Sequence, residues 1–367
     1  MFIAIQGWYL AEPFTGIGQH TKGLIRAFLR RPEAKEGKLK LCVVVPETIS
    51  LKKIGLQELP KEWLHVLPTK KWIPGMALKK WAWERWQAPA FFAAQKVDWE
   101  WTPYPTPLPK KAKHLRAITV HDGILWRDAR YQSSGLKGWF KRLYHKKSWE
   151  SLRRVERIFA VSKTVREDLD LDMAQVIYNA VESHVKTLVK KSAGKNSDEK
   201  ILVYLGGFDL RKRVPELVEA FSHFRKKHPE FVLHLIGQAH HQSAIYPEIP
   251  EMDGVKRLGK LSDAEVDKAL STAFAFVHFS DSEGFNIPLL QAMTAGLPAV
   301  VRDIPVNREI SQESALFFSR EGEFFDRLEA LMDLDLRQKV VGRQAEAAKS
   351  YSWDRAAQLF LESLKHV

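Results

Sequence analysis

Apolar positions along this chain gather into short dense runs, separated by longer stretches in which they recur at helical spacing. The dense runs of the first half are Phe2 to Gln6, Leu39 to Pro46, Leu115 to Val120 and Phe159 to Val161. Those of the second half are Ile201 to Leu205, FVLHLIGQ at 231–238, Phe274 to His278 and Leu297 to Val301. Runs of this length bounded by turn residues fit strands covered on both faces, as in a parallel sheet. Helical stretches lie between them. One opens at Gly16 and Gly18 and places Leu24, Ile25 and Phe28 on an inner face. Another opens after Ser162, a residue type suited to an N-cap. A third has Pro288 at its first position, Gly296 at its stop and Leu289, Leu290, Ala292 and Met293 as its apolar face. This alternation in both halves predicts an α/β protein of two doubly wound domains facing across a cleft. The polar, charged stretch from Lys186 to Lys200 reads as the linker. The expected division is therefore 1–182 for the first domain, 183–200 for the linker and 201–349 for the second domain, with residues 350–367 as a terminal helix.

A chain of 367 residues has room for two substantial cores. No run approaches the length of a membrane span. The start, MFIAIQGWYL, reads as a first strand and not as a signal peptide. Cys42 is the only cysteine and sits in the apolar run LCVVV. A disulfide framework and a cysteine-based zinc site are thereby excluded, which fits a reducing cytoplasm. The net charge of +13 is uneven: residues 1–200 carry 37 lysines and arginines against 20 acids, whereas residues 201–367 carry 20 against 24. Such a field draws in polyanions, whether nucleic acid or anionic lipid. The segment Ala77 to Ala94 reads as a helix with Trp83, Trp86 and Phe91 near one face and Lys79, Lys80 and Arg85 elsewhere. Lysines beside exposed tryptophans suit a membrane interface. The competing reading is that the tryptophans face a core. The basic stretch at 137–157 reads as a long helix.

Candidate chemistry collects where strands end. After the strand at 274–278 comes a short polar loop, Ser280 to Glu283, and then the helix that starts near Pro288. A strand feeding a helix leaves first-turn N–H groups pointing beyond the strand end, where the helix dipole favours an anion. Glu283 and Gln291 bracket that start, which offers a carboxylate, an anion cradle and an amide around one point. The plainer reading is a buried strand-turn-helix with an exposed acid. Gly206 and Gly207 follow another strand and permit close backbone approach, and Arg211 and Lys212 stand just before the next helix. A solvated basic turn is the alternative there. His121 and Asp122 end the strand at 115–120, at the ligand edge of a parallel sheet. Gly16-Ile17-Gly18 is a poor dinucleotide fingerprint, because nine residues separate it from the strand. Asp168, Asp170 and Asp172 have D-x-D spacing but lie in a helix interior with no strand end to hold a metal.

The segment EGFNIPLLQAMTAGLP resembles the E-x7-E segment of retaining GT-B glycosyltransferases, the group 1 glycosyl transferases that use nucleotide-activated sugars. That family reads E-G-F-G, a hydrophobic residue, P-x-x-E-A-M-A-x-G-x-P. Here Asn286 replaces the glycine and Gln291 the second acid. The segments T-G-I-G, V-H-D and Y-N-A-V, and the terminal YSWDRAAQLFLESL, are also similar to family segments, so the resemblance spans nearly the whole chain. It implies the GT-B architecture, with residues 350–367 crossing back to the first domain. It implies retaining, metal-independent transfer of a hexose from a nucleotide diphosphate sugar to a lipid-linked or polysaccharide acceptor, in bacterial cell-surface glycan synthesis. By the same resemblance Lys212 and Arg211 hold the donor diphosphate, with Gly206, Gly207 and the helix start at Asn286, Ile287 and Leu289. Glu283 binds sugar hydroxyls and His121 sits beside the reacting centre. Gln291 meets the ribose, Leu258 and Gly259 the base, and Gly16, Ile17, Gly18 and Asp122 form the acceptor and phosphate loop. No cofactor or metal is implied. The expected partners are the nucleotide sugar, the acceptor and an anionic membrane surface, without nucleic acid. The expected location is the cytoplasmic face of the inner membrane. A nucleotide-sugar epimerase of the same shape, an NAD-dependent enzyme and a non-catalytic membrane or polyanion binder are the competing functions.

Overall fold

The computed structural model describes residues 1–12, 15–49, 54–124, 135–181, 200–238 and 248–366. All but the last residue of the expected linker at 183–200 lies outside them. The chain divides into two compact units, Met1–Ala180 with Ser352–Val367, and Val181–Tyr351.

The first unit is built on a seven-stranded parallel sheet of order β3-β2-β1-β4-β5-β6-β7. Its strands are β1 (Phe2–Gln6), β2 (Lys40–Pro46), β3 (Leu64–Leu67), β4 (Trp99–Thr102), β5 (Leu115–Val120), β6 (Arg157–Ala160) and β7 (Gln175–Val176). Register is fixed in the middle by pairs such as Ile5 with Val43 and Ala4 with Glu100. Ile3, Ala4, Ile5, Val43 and Val44 are fully buried, as central strands covered on both faces require. Helix α1 (Gly16–Arg30) packs against the terminal helix Trp353–Lys365. Phe360 of that helix stacks on Phe159 at 4.3 Å and meets the Trp101 ring edge at 5.0 Å. Gly23 permits this approach, because a Cβ there would lie 2.2 Å from the Trp353 ring.

The segment read as one helix at 77–94 is three pieces. Helix α2 (Met76–Ala82) runs into a π-helical turn, Trp83–Gln87, and then into α3 (Ala88–Gln95). Pro89 has no N–H to give the Arg85 carbonyl, so the ladder widens there. The turn divides the aromatic face. Trp83 is fully buried, and Trp86 is 52% exposed. Lys80 is not a surface cation: its ammonium bonds the Tyr9 hydroxyl and lies 3.7 Å from the buried Glu84 carboxylate. Helices α4 (Gly135–Leu152) and α5 (Lys163–Asp168) follow in this unit, and Ser162 does cap α5.

The second unit has a six-stranded parallel sheet of order β10-β9-β8-β11-β12-β13. Its strands are β8 (Lys200–Leu205), β9 (Phe231–Ile236), β10 (Val255–Gly259), β11 (Ala275–His278), β12 (Ala299–Arg302) and β13 (Leu316–Phe318). The helices between and after them are α6 (Val214–Arg225), α7 (Asp263–Thr272), α8 (Ile287–Thr294), α9 (Pro305–Ser311), α10 (Glu321–Ala330) and α11 (Leu334–Ala348), and the terminal helix is α12. Leu217, Phe221 and Phe224 of α6 pack with Leu202, Leu233 and Leu235 of the sheet in one core. Among the described residues no helix is long and apolar enough to cross a membrane.

Candidate active site

In the second unit the carboxyl ends of β8, β9 and β10 converge on glycines. Gly206 has φ +155° and Gly237 φ +135°. A Cβ on Gly237 would fall 1.8 Å from the Gly206 carbonyl oxygen, so side chains are excluded where the loops cross. The Gly237 N–H donates to the Gly259 carbonyl at 2.8 Å, which ties the β10 end to the same place. Leu258, expected near a base, is 37% exposed.

After Gly207 the chain makes a 3₁₀ turn, Leu210–Lys212, and Arg213 takes a left-handed conformation at φ +46° before α6 begins. The turn is tied to the loop after β11 by several bonds. Asp281 N–H donates to the Arg211 carbonyl at 2.9 Å, Ser280 Oγ donates to it at 3.1 Å, and Arg213 Nε donates to Asp281 at 2.9 Å. Two loops far apart in sequence are therefore tied together, and four charged side chains meet there. The Lys212 ammonium bonds Glu283 Oε1, and Arg211 lies 2.6 Å from Oε2 while also donating to the Ser282 carbonyl at 2.7 Å. Asp209 is 3.3 Å from the Arg211 guanidinium.

Lys212 is buried and the Glu283 side chain is only 7% exposed, so these pairings decide their charge. Burial alone would raise the Glu283 carboxyl. Arg211 and then Lys212 outweigh it and hold the group far below the usual carboxylate range. Burial lowers the Lys212 ammonium, Arg211 adds to that, and Glu283 opposes both. The ion pair is the condition for keeping either charge out of water.

His278, the last residue of β11, faces the same carboxylate. It is fully buried, with Nε2 3.5 Å from Glu283 Oε1, and its ring stacks with Tyr204 and Phe276, each at 5.8 Å. Burial and then the charge of Lys212 pull its imidazole down to about 3, so it is neutral. Sequence reasoning took His278 only as a strand terminus. Its signal was a histidine ending an apolar run five residues before Glu283.

Asn286 caps α8 from a left-handed conformation, φ +64°. Its Oδ1 accepts from the Leu289 N–H at 3.3 Å, and its Nδ2 donates to Asn307 Oδ1 at 2.8 Å. The helix start therefore differs from the open anion cradle expected of it. Pro288 has no N–H and that of Leu289 is turned to Asn286, which leaves Asn286 and Ile287 as the backbone donors of such a cradle. Gln291 is half-buried one turn inside α8.

The remaining candidates belong to the first unit. His121, at the end of β5, is buried and its Nε2 lies 2.8 Å from the Pro103 carbonyl. Its ring meets that of His20 edge-on at 4.8 Å, and His20 Nδ1 lies 2.8 Å from Asn179 Oδ1. Burial pulls His20 down to about 4, and burial followed by His20 lowers His121 well below its ordinary value. The Asp122 carboxylate accepts from the Ile124 N–H at 3.1 Å. Gly16 and Ile17 open α1, and the Gly18 N–H is taken by the Thr15 hydroxyl at 3.1 Å. His20 and Asn179 were not singled out by the sequence as site residues.

Residues 185–348 match the family of glycosyl transferases group 1. The match contains Lys212, Arg211, His278 and Glu283. The chain is 28% identical over 145 residues to a glycosyltransferase 1 domain-containing protein of Xenopus tropicalis, covering 38% of this chain and 42% of that one. It is 25% identical over 217 residues to the O-antigen chain mannosyltransferase RfbU of Salmonella typhimurium, covering 57% and 58%. The matched segments thus span less than two thirds of either relative. The whole fold is similar to that of Anabaena HepE, crystallised with UDP-glucose, at a TM-score of 0.70 and 14% identity with both chains fully covered. The fold class is GT-B, and the second unit carries the stretch that matches the glycosyl transferases group 1.

Proposed function

We propose that this protein is a glycosyltransferase that moves a hexose from a nucleoside diphosphate sugar to a hydroxyl of a growing cell-surface glycan, with retention and without a metal ion. The observation that carries this reading is the cluster of half-buried Arg211, buried Lys212 and the largely covered Glu283 carboxylate at the strand ends of the family-matched unit. Two cations are held there by one carboxylate, a resting partner that a diphosphate can replace. In the reaction the bond from the anomeric carbon to the diphosphate breaks and the acceptor oxygen bonds to the same face. The acceptor proton leaves with the diphosphate. Negative charge grows on the leaving group, and preorganised cations stabilise it without reorganising. Glu283, once released, faces the sugar hydroxyls. Gln291 is assigned to the ribose, Leu258 and Gly259 to the base, His121 to the reacting centre, and Asp122 and residues 16–18 to the acceptor and phosphate loop.

The name of the Salmonella relative, an O-antigen chain mannosyltransferase, supports a surface glycan as product. The basic first half and the exposed Trp72, Trp86 and Trp139 support a position on the inner face of the inner membrane.

A thermal-shift panel of nucleotide sugars tests the reading, with GDP-mannose and UDP-glucose as the first probes. A donor at 100 times its dissociation constant stabilises by about 2.7 kcal/mol. Transfer from the donor that stabilises, with the product's anomeric configuration read by NMR, completes it. No stabilisation by any nucleotide sugar overturns the proposal, and release of an epimerised sugar makes the chain an epimerase.

A further inference from the structure

The geometry points to His278 as a positioning residue that takes hold of the Glu283 carboxylate when Lys212 turns to a donor diphosphate. The inference rests on the function proposed above.

Lys212 Nζ and His278 Nε2 face the same oxygen, Oε1 of Glu283, and Arg211 faces the other. In the resting protein the lysine has that oxygen. His278 Nε2 stands off at 3.5 Å and is, among the described residues, a buried polar atom without a hydrogen-bond partner. A buried group left unpaired is costly, and a native protein that keeps one calls for an explanation. Here the explanation is a partner that becomes available only when the lysine leaves.

The tautomer is set from the other side of the ring. The Asn286 amide nitrogen lies 3.4 Å from His278 Nδ1, so that nitrogen faces a donor and the ring proton belongs on Nε2. Asn286 is itself held. Its amide donates to Asn307 Oδ1 at 2.8 Å, and Asn307 donates to the Arg302 carbonyl at 2.9 Å. Tyr204 and Phe276 fix the plane of the ring. A neutral N–H donor is therefore aimed at Glu283 by a relay that starts on β12 and α9.

The relay also accounts for the departure from the family pattern at Asn286. The position needs a left-handed backbone, which glycine adopts most easily and asparagine tolerates. Asparagine adds an amide that caps α8 and orients the histidine.

The test uses His278→Phe, which keeps a ring between Tyr204 and Phe276 and removes the N–H, and His278→Gln, which restores a donor. GDP-mannose and UDP-glucose turnover is measured beside calorimetric binding of GDP and UDP. We expect His278→Phe to lower kcat about tenfold, the value of one hydrogen bond to a charged group, while nucleoside diphosphate affinity stays within about twofold. His278→Gln should recover most of the loss, and His278→Phe should add nothing in a Glu283→Ala background. Wild-type kcat in His278→Phe, a parallel loss of GDP and UDP binding, or an undiminished effect without Glu283 each overturns the role. If His278→Phe does not fold, Asn286→Gly decides. Reduced kcat with intact diphosphate binding supports the relay, and unchanged kcat refutes it. Wild-type turnover in Glu283→Ala would instead refute the proposed site itself.

Discussion

The two sheets have the same parallel construction and end in opposite chemistry. At the end of β5 in the first unit, burial is met by neutrality: His20 and His121 are both pulled below their ordinary values and pack ring to ring. In the second unit it is met by pairing, with Arg211 and Lys212 against Glu283. Either solution avoids an isolated buried charge. Under the proposed function they serve different ligands, however. Neutral imidazoles suit hydroxyl groups, whereas a carboxylate clamped by two cations is a place prepared for an anion to enter by exchange.

Breaking the charged side should give the largest effects. Lys212→Ala should lower transfer by about a hundredfold or more, since losing one preorganised charge contact typically does so. Glu283→Ala should do the same for a different reason, and the two variants are told apart by binding. Without Glu283 the cations are unopposed, so GDP or UDP should bind at least as tightly as to wild type, whereas Lys212→Ala should weaken it. The ligand-free Glu283→Ala protein should also lose about 3 kcal/mol of stability, the usual result of leaving a buried charge without its partner. Denaturant midpoints with and without nucleotide measure this. A Glu283→Ala protein of unchanged stability would mean the cluster is not the closed pair described.

The neutral side should be exposed by acid. His20 titrates near 4 in the folded chain and near 6.5 when unfolded. Between those values the unfolded chain binds more protons, so stability rises with pH. The His20 contribution is complete above about 6.5 and declines as pH falls to 4, by roughly 3 kcal/mol in all. His278 acts in the same direction, down to about 3. Glu283, depressed in the folded state, adds a loss only below its ordinary value of 4.5. Unfolding midpoints from pH 7 to pH 4 should therefore fall, and fall less steeply in His20→Phe. An equal slope in the two proteins would show that His20 is not the neutral group its surroundings make it.

Where burial is symmetrical the sequence was easy to read. The bounds of β1 and β5 match their apolar runs, because a central parallel strand needs apolar residues on both faces. Strand β4 was missed because Trp99-Glu100-Trp101-Thr102 has an acid in its middle. Only the fold shows that Glu100 is fully buried, accepting from Gln6 at 2.6 Å and lying 2.9 Å from His114. The charged site was legible in part. Lys212, Arg211 and Glu283 each sit at a strand-to-helix junction, which sequence can locate. Their mutual pairing spans 71 residues and depends on how two loops are tied, which it cannot. Lys80 shows the same limit, since its helical position looked solvated while Tyr9, 71 residues away, and the burial of Glu84 one turn on are set by the fold.

The basic character of the first half sharpens the comparison on the outside of the molecule. Trp72, Trp86 and Trp139 are 77%, 52% and 51% exposed, and Lys70 and Lys71 lie beside the first of them. Each lysine near an anionic surface contributes about 1 kcal/mol, within a Debye length of about 8 Å at physiological salt. Co-sedimentation with anionic vesicles should therefore exceed that with neutral ones. It should fall several-fold in Lys70→Glu with Lys71→Glu, and fall again at high salt. Lys80→Glu is unsuitable as a surface test, because it places a second acid against buried Glu84. Absence of binding to either vesicle would point to a soluble acceptor.

The smallest effect is expected at Gln291, where the chain departs from the family's second acid. A neutral amide and a carboxylate can both accept from ribose hydroxyls, but the charged acceptor forms the stronger bond. Gln291→Glu should therefore keep kcat and lower the donor KM by a few-fold. Gln291→Leu should raise KM by about three- to tenfold, corresponding to one hydrogen bond of about 1 kcal/mol, because the ribose loses its partner. The residue is half-buried on a helix whose other side is packed, so leucine is accommodated there without a cavity. Neither substitution touches Arg211, Lys212 or Glu283, and the affinity for inorganic pyrophosphate, which has no ribose, should be the same in all three proteins. Equal donor KM across the three would make Gln291 a helix residue with no part in binding. A change in pyrophosphate affinity would mean that the substitution had reached the charged cluster, and that the two halves of the donor site are coupled through α8.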